Sequence, residues 1–168
     1  VTVGPGDGLR LMVGSTAASH GPLAFQAGDA QLGEGAALHV AAADLDRDGD
    51  ADVVESMGDV RATAVWRNDG AANFPTRSLL ATGGLAAALG DVDRDGDIDL
   101  LETSPTAGLR LWRNDGTGPA GSAESLSTIG GLGLALHDVD RDGDLDLLLA
   151  RGLAGAAELW RNDGTGAF

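Results

Sequence analysis

Three short apolar stretches recur along the chain, each followed by a run of alternating aspartates and then by a denser apolar run. The first stretches are Leu38-His-Val40-Ala-Ala42, Leu85-Ala-Ala87-Ala-Leu89 and Leu132-Gly-Leu134-Ala-Leu136. Larger and smaller residues alternate in them, which is the period of a strand, and the small side permits close approach by a neighbouring sheet. The denser runs, Ala51-Asp-Val-Val54, Ile98-Asp-Leu-Leu101 and Leu145-Asp-Leu-Leu-Leu149, are almost continuously apolar and predict strands covered on both faces. A third strand is predicted over Leu109-Arg-Leu-Trp112 and its equivalents. It ends at Asn114-Asp-Gly116, a hairpin signal because these residues tolerate positive φ. A fourth, weaker strand falls near residues 78–82 and 124–129. The alternating runs, together with 27 glycines, argue against helices.

The aspartate runs are three copies of one loop: Asp44-Leu-Asp46-Arg-Asp48-Gly49-Asp50-Ala-Asp52, Asp91-Val-Asp93-Arg-Asp95-Gly96-Asp97-Ile-Asp99 and Asp138-Val-Asp140-Arg-Asp142-Gly143-Asp144-Leu-Asp146. Their first aspartates lie 47 residues apart each time. A second landmark, Trp66-Arg-Asn-Asp-Gly70, Trp112-Arg-Asn-Asp-Gly116 and Trp160-Arg-Asn-Asp-Gly164, follows 22, 21 and 22 residues after the first aspartate. Two motifs in one register over three copies mark a repeat array. Four antiparallel strands in about 47 residues, apolar on both faces, fit the blades of a β-propeller. The chain therefore reads as one all-β domain of roughly three and a half blades, with residues 37–83, 84–130 and 131–168 as blades and the last lacking its final strand. Residues 1–36 read as a degenerate half-blade. There Gly8-Leu-Arg-Leu11 matches Gly108-Leu-Arg-Leu111, Met12 takes the Trp position, Val13-Gly-Ser15 replaces Arg-Asn-Asp, and Leu23-Ala-Phe25 would be the last strand.

Five carboxylates within nine residues require a positive partner, because two charges ~4 Å apart repel by roughly 4 kcal/mol at an effective dielectric of about 20. Calcium suits them: it is hard, takes oxygen ligands at alternate positions of a curled loop, and accepts a backbone carbonyl. Gly96 sits where such a loop turns sharply. Magnesium demands a stricter octahedron, and zinc prefers His or Cys, of which the latter is absent. The formal charge is −15, and three calcium ions would offset six of those units. This acidity excludes a nucleic-acid partner, which needs a basic stripe. All eleven basic residues are Arg. A hydrophobic content of 43 % excludes disorder, and no apolar run is long enough for a membrane span. Weak calcium loops fill where the ion is near millimolar, which points to an extracellular, periplasmic or cell-surface location. The start at Val1, without Met or a signal peptide, reads as a mature or excised piece.

These loops and Trp motifs resemble the FG-GAP/VCBS repeat family, the calcium-loop propeller blades of integrin α-subunit heads and many bacterial secreted proteins. The resemblance covers residues 37–168 well and 8–30 loosely. It implies three calcium sites. Side-chain ligands would be Asp44, Asp46, Asp48 and Asp52 in the first loop, Asp91, Asp93, Asp95 and Asp99 in the second, and Asp138, Asp140, Asp142 and Asp146 in the third. Asp50, Asp97 and Asp144 would contribute backbone carbonyls. The rival is the EF-hand, whose loop ends in a bidentate Glu at position 12, where Glu55 and Glu102 fall. The third loop has Leu149 there, and Pro105 and a hairpin follow the second, where an EF-hand needs a helix.

The three Trp residues read as blade-to-blade packing, with a sugar-stacking platform as the alternative because aromatic faces suit sugar rings. Arg47, Arg94 and Arg141 read as local charge partners of their own loops. His20, His39 and His137 occupy no equivalent repeat positions, and Gly130-Gly131-Leu-Gly133 precedes a strand rather than the helix a phosphate loop requires. No catalytic constellation stands out, so enzyme activity is not expected. The expected function is a calcium-stabilised interaction or adhesion module with a protein or glycan ligand, and a propeller-type lectin is the alternative. Three and a half blades fall short of the about four that closure needs. Apolar ends, with Leu9 and Leu11 at one and Leu147 and Leu149 at the other, therefore predict self-association, most simply as a dimer, or membership of a longer propeller.

Overall fold

Aspartate loops interrupt the apolar runs at a fixed place, and in the computed structural model each loop joins the first two strands of a sheet. The structure describes residues 9–14, 25–32, 36–58, 61–80, 83–104, 106–152 and 155–168. A two-stranded sheet pairs β1 (Leu9–Gly14) with β2 (Phe25–Leu32). The first four-stranded sheet contains β3 (His39–Ala43), β4 (Asp52–Ser56), β5 (Ala64–Arg67) and β6 (Thr76–Leu79). The second contains β7 (Ala86–Gly90), β8 (Asp99–Ser104), β9 (Gly108–Trp112) and β10 (Glu124–Ser127). The third has three strands, β11 (Gly133–His137), β12 (Asp146–Ala150) and β13 (Glu158–Trp160). Neighbours in each sheet are consecutive and antiparallel, so every sheet is a meander. No helix long and apolar enough to cross a membrane occurs among the described residues.

The sheets approach one another along their first strands, β3 against β7 and β7 against β11, in an open stack rather than a closed ring. Leu45, Val54, Val65, Leu100 and Trp112 fill the space between the first and second sheets. Val92, Leu101, Leu109, Leu111 and Leu147 fill the next. In β8, Leu100 faces one layer and Leu101 the other. This two-sided covering explains the unbroken apolar run. Full burial of each such side chain stabilises by about 1.5–3 kcal/mol. Leu32 of β2 packs with Val53, Trp66 and Phe74 and covers part of the free face of the first sheet.

Several expectations need correction. In β12, Leu147 and Leu149 are fully buried, and Leu148 is the residue exposed at the end of the stack. An apolar run does not reveal which parity faces its neighbour. The fourth strand of the first sheet runs over Thr76–Leu79 rather than 78–82, because it pairs from Arg67↔Thr76 onward, and the corresponding strand of the second ends at Ser127. The Asn-Asp-Gly motif does turn the chain between antiparallel neighbours, with Gly116 at φ 83°, but the connection is longer than the motif, since β9 and β10 are joined by residues 113–123. Of the expected strand Leu23-Ala-Phe25, only Phe25 lies in β2, and Leu23 and Ala24 fall outside the described residues. His20 and Pro105 also fall outside them. The EF-hand is overturned by its flanks, since Glu55 and Glu102 sit buried in β4 and β8. Glu55 accepts the Trp66 indole N–H at 3.0 Å, and Glu102 accepts the Thr63 hydroxyl.

Candidate metal centre

Each aspartate loop leaves the first strand of its sheet and ends on the first residue of the second, Asp52, Asp99 or Asp146. Curling is achieved at two points. The loop glycines Gly49, Gly96 and Gly143 have φ near +90°, at 95°, 90° and 94°. The arginines before them are also left-handed, with Arg47 and Arg94 at φ 61° and Arg141 at 66°. That conformation costs an L-residue roughly 1–2 kcal/mol, so the remainder of the loop has to hold it.

Backbone N–H groups do part of this holding. Gly49, Gly96 and Gly143 donate to the first carboxylate of their loops, Asp44, Asp91 and Asp138, at 3.0, 3.0 and 3.1 Å. Asp50, Asp97 and Asp144 donate to the fifth, Asp48, Asp95 and Asp142, at 2.9, 2.8 and 2.9 Å. The ninth carboxylate is fully buried and ties the loop to the Trp motif. Asp99 accepts Val92 N at 3.2 Å and Asn114 N at 2.8 Å, and Asp52 and Asp146 repeat the pattern. Burial pushes the Asp99 carboxyl up to about 6 against these two hydrogen bonds, and the like charges of Asp93 and Asp95 add to the rise. Burial also raises Asp52. Asp146 goes the other way, held below the usual carboxylate range chiefly by the Asn162 N–H.

Arginine supplies more of the counter-charge than the loop sequence alone suggests. Arg67 and Arg113, from the Trp motifs, bond the third carboxylates Asp46 and Asp93 at 2.5 Å, and Arg161 bonds Asp140. Arg47 and Arg94 are not local partners. Arg47 Nε lies 2.5 Å from Asp97 and Arg94 Nε 2.5 Å from Asp144, each in the following loop. Asn114 Nδ2 bonds Leu45 O at 2.7 Å and Asn162 Nδ2 bonds Val92 O at 2.8 Å, so the turn of each later sheet also grips the loop before it. These Arg and Asn roles are missed by sequence reasoning. Their signal is the constant interval to the loop, but the partner across the stack is visible only once the sheets are stacked.

What remains is a set of carboxylate oxygens facing one another. One oxygen each from Asp44, Asp46 and Asp48 lies within 4.8 Å of the others, as do those of Asp91, Asp93 and Asp99, and of Asp138, Asp140 and Asp146. Asp52, Asp95 and Asp142 stand outside these tight groups, and the side chains of Asp97 and Asp144 turn to arginine. Oδ1 of Asp44, Asp46, Asp91 and Asp93 is buried without a hydrogen-bond partner. Buried acceptors left unpaired cost about 1–3 kcal/mol each, more when charged, so the residues fit a hard cation that takes oxygen ligands.

Other candidates resolve as structure. Trp112 is fully buried, and Trp66 and Trp160 are half-buried, with Arg77 stacked 5.0 Å from the Trp66 ring centre. His39 accepts the Ala87 N–H across the first two sheets at 3.4 Å, and burial lowers its pKa, favouring the neutral ring. Gly130 and Gly131 lie where backbones touch: a Cβ there would come 2.1 Å from Ser104 O and 2.3 Å from Ala150 O. A search of curated proteins finds no match to this chain. Residues 91–149, from the second aspartate loop through the third and most of its following strand, match the family model described as an FG-GAP-like repeat, and the chain carries that repeat.

Proposed function

We propose that the chain is a calcium-stabilised, β-propeller-type interaction module of an extracellular protein, with calcium structural rather than catalytic. The blades are the sheets at residues 37–83, 84–130 and 131–168, and each loop holds one ion. The observation that carries the metal reading is the set of buried, unpartnered oxygens on Asp44, Asp46, Asp91 and Asp93. The remaining donors are Asp48 and Asp52, Asp95 and Asp99, and Asp138, Asp140, Asp142 and Asp146, with the carbonyls of Asp50, Asp97 and Asp144. When bound, calcium supplies charge compensation and cross-links the two ends of each loop. Trp112 is fully buried, and the half-buried Trp66 and Trp160 pack against the apolar clusters, which supports a packing role, so a protein ligand is favoured over a sugar. At free calcium ten times the dissociation constant each site adds roughly 1.4 kcal/mol, and three add about 4 kcal/mol. Isothermal titration should count three sites, and a chelator should clearly lower the melting temperature. Melting indifferent to the chelator, with no heat of binding, would remove the metal from this reading.

A further inference from the structure

The turns that follow the second and third Trp residues run alike and then diverge. Asn114 Oδ1 accepts the N–H groups of Gly116 at 3.1 Å and Gly118 at 2.6 Å, and Asn162 Oδ1 accepts those of Gly164 at 3.2 Å and Gly166 at 3.1 Å. Eight residues beyond the Trp, the first and third turns carry Phe74 and Phe168, whereas the second carries Ala120. Phe74 packs against the cluster of Leu32 and Val53, and Phe168 against the cluster between the second and third sheets. The second turn has no aromatic residue to offer the space between the first and second sheets, and the side chain it packs there is that of Ala123.

A groove of about 390 Å³ opens at this place, lined by Arg67, Ser78, Leu79, Leu80 and residues 117–121. Its volume falls within the range of about 300–1,000 Å³ common to ligand sites. It lies between two sheets inside the stack. Arg67 is fixed in its wall, with Nη1 2.5 Å from Asp46 and 3.5 Å from Asp52 and with Nη2 bonded to Thr117 O. A guanidinium held in this way offers an aromatic ring a cation–π contact that an aliphatic side chain cannot make. Leu79 adds an apolar wall that is 57 % exposed. Beside the groove, β6 is the outermost strand of its sheet and all four of its residues are exposed. Such an edge accepts an extended segment through main-chain hydrogen bonds, while a neighbouring pocket selects among its side chains.

We propose that this groove binds an aromatic side chain carried on an extended segment of a partner protein. The segment pairs along the free edge of β6, and its ring takes the place that Phe74 and Phe168 take in the other two repeats. The chain's own use of Phe at this position names the occupant. A formal charge of −15 selects a neutral or basic segment over an acidic one. The inference rests on the interaction-module reading for the existence of a protein ligand, and it uses no metal.

The test follows backbone amide shifts of the full chain by NMR, in calcium, as capped Lys-Thr-Thr-X-Thr-Thr-Lys peptides with Phe, Leu or Ala at X are added to millimolar concentration. The Phe peptide should shift Ser78, Leu79, Leu80 and Ala120 saturably and bind about tenfold or more tighter than the Ala peptide, with the Leu peptide between them. Ala120→Phe supplies the ring from the chain itself, so it should raise the melting temperature and weaken peptide binding. Leu79→Glu changes an exposed position, so it should leave melting unchanged and weaken binding about tenfold. Absence of saturable shifts with every peptide overturns the proposal, as do shifts confined to other residues, a Phe peptide no tighter than the Leu or Ala peptide, or binding that neither variant weakens. Failure of the peptides while three calcium sites are still counted would strike this inference and leave the calcium-stabilised module standing. Peptide binding in a chain that takes up no calcium would remove the metal reading alone.

Discussion

The second and third sheets are built from nearly the same sequence, and they differ in their neighbours: the second is covered on both sides, the third on one. Leu101 and Leu148 hold one repeat position, yet the first is fully buried and the second 39 % exposed. Trp112 is buried and Trp160 half-buried. Asp99 is pushed up to about 6, chiefly by burial, while Asp146 is lowered, chiefly by the Asn162 N–H. Arg94 is clasped to the next loop, and Arg141 has no such clasp among the described residues. Strand, loop and turn are therefore written into each unit, whereas burial, charge state and pairing are set by the neighbour. That is the behaviour of a stacked array with nearest-neighbour coupling.

The sharpest test truncates the same residue in both sheets. Leu101→Ala opens a cavity between the second and third sheets and should cost about 2–5 kcal/mol. Leu148→Ala removes atoms that already touch solvent and should cost under about 1 kcal/mol. Chemical denaturation in calcium, at a concentration where the chain is a single copy, measures both. Equal losses would mean that Leu148 is covered in solution.

A smaller effect is expected from Asp93→Ala in the second loop. Its Oδ1 is a buried, unpartnered oxygen and its Oδ2 holds Arg113, so the change removes a donor and frees a cation. Titration should fall from three sites to two, and calcium-dependent stabilisation should drop by about 1.4 kcal/mol at tenfold excess over the dissociation constant. Three sites of unchanged affinity would strike Asp93 from the ligands. Asp140→Ala makes the comparison, because Asp140 is exposed where Asp93 is half-buried.

Much of the fold, and the carboxylate clusters of the candidate metal centre, are legible in the sequence alone. The three loops, the strands on either side and the absence of α-helices among the described residues follow from spacing and alternation, which are local properties. The pairing of Arg47 with Asp97 is not legible, because the partner lies 50 residues away across a sheet interface and every loop offers nearer carboxylates. Nor is the outward parity of Leu148, since Leu147, Leu148 and Leu149 look alike until a neighbour covers one side. The fourth strand of the first sheet is misplaced by its pattern because all four of its residues are exposed, leaving no apolar alternation to mark its ends. Asn114 and Asn162 read as turn formers, which they are. Their second bond, to the preceding loop, depends on the stacking.

Acidity separates the two ninth carboxylates. Without metal, Asp99 titrates near 6 in the fold and about 3.9 when unfolded, so the folded chain binds the extra proton between those values. Its contribution to stability therefore falls as pH rises from about 4 to about 6. Asp146 is lowered in the fold, so its contribution is present above its unfolded pKa and is lost as pH falls through the folded value. In chelator, wild type should gain about 1 kcal/mol relative to Asp99→Asn on moving from pH 7 to pH 5, after allowance for solvent screening. Melting of both chains at the two pH values measures it. The same comparison with Asp146→Asn should show no gain or the opposite sign.

The smallest predicted difference lies in the clasps. Arg94 is about half exposed, at 52 % for its side chain, so its bond to Asp144 is screened and should contribute only about 0.5–1 kcal/mol. Arg94→Ala should lower stability by that amount, and Asp144→Ala should do no more when made in the same chain. A double-mutant cycle isolates the pair from any effect of Asp144 on its own loop. Arg141→Ala, the same change one sheet later, removes a side chain with no carboxylate partner among the described residues and should be neutral in a single copy. Denaturation at high dilution measures both changes. Equal losses at both positions would show that the arginine acts through its own left-handed backbone and its loop, and that the step across the stack carries no energy.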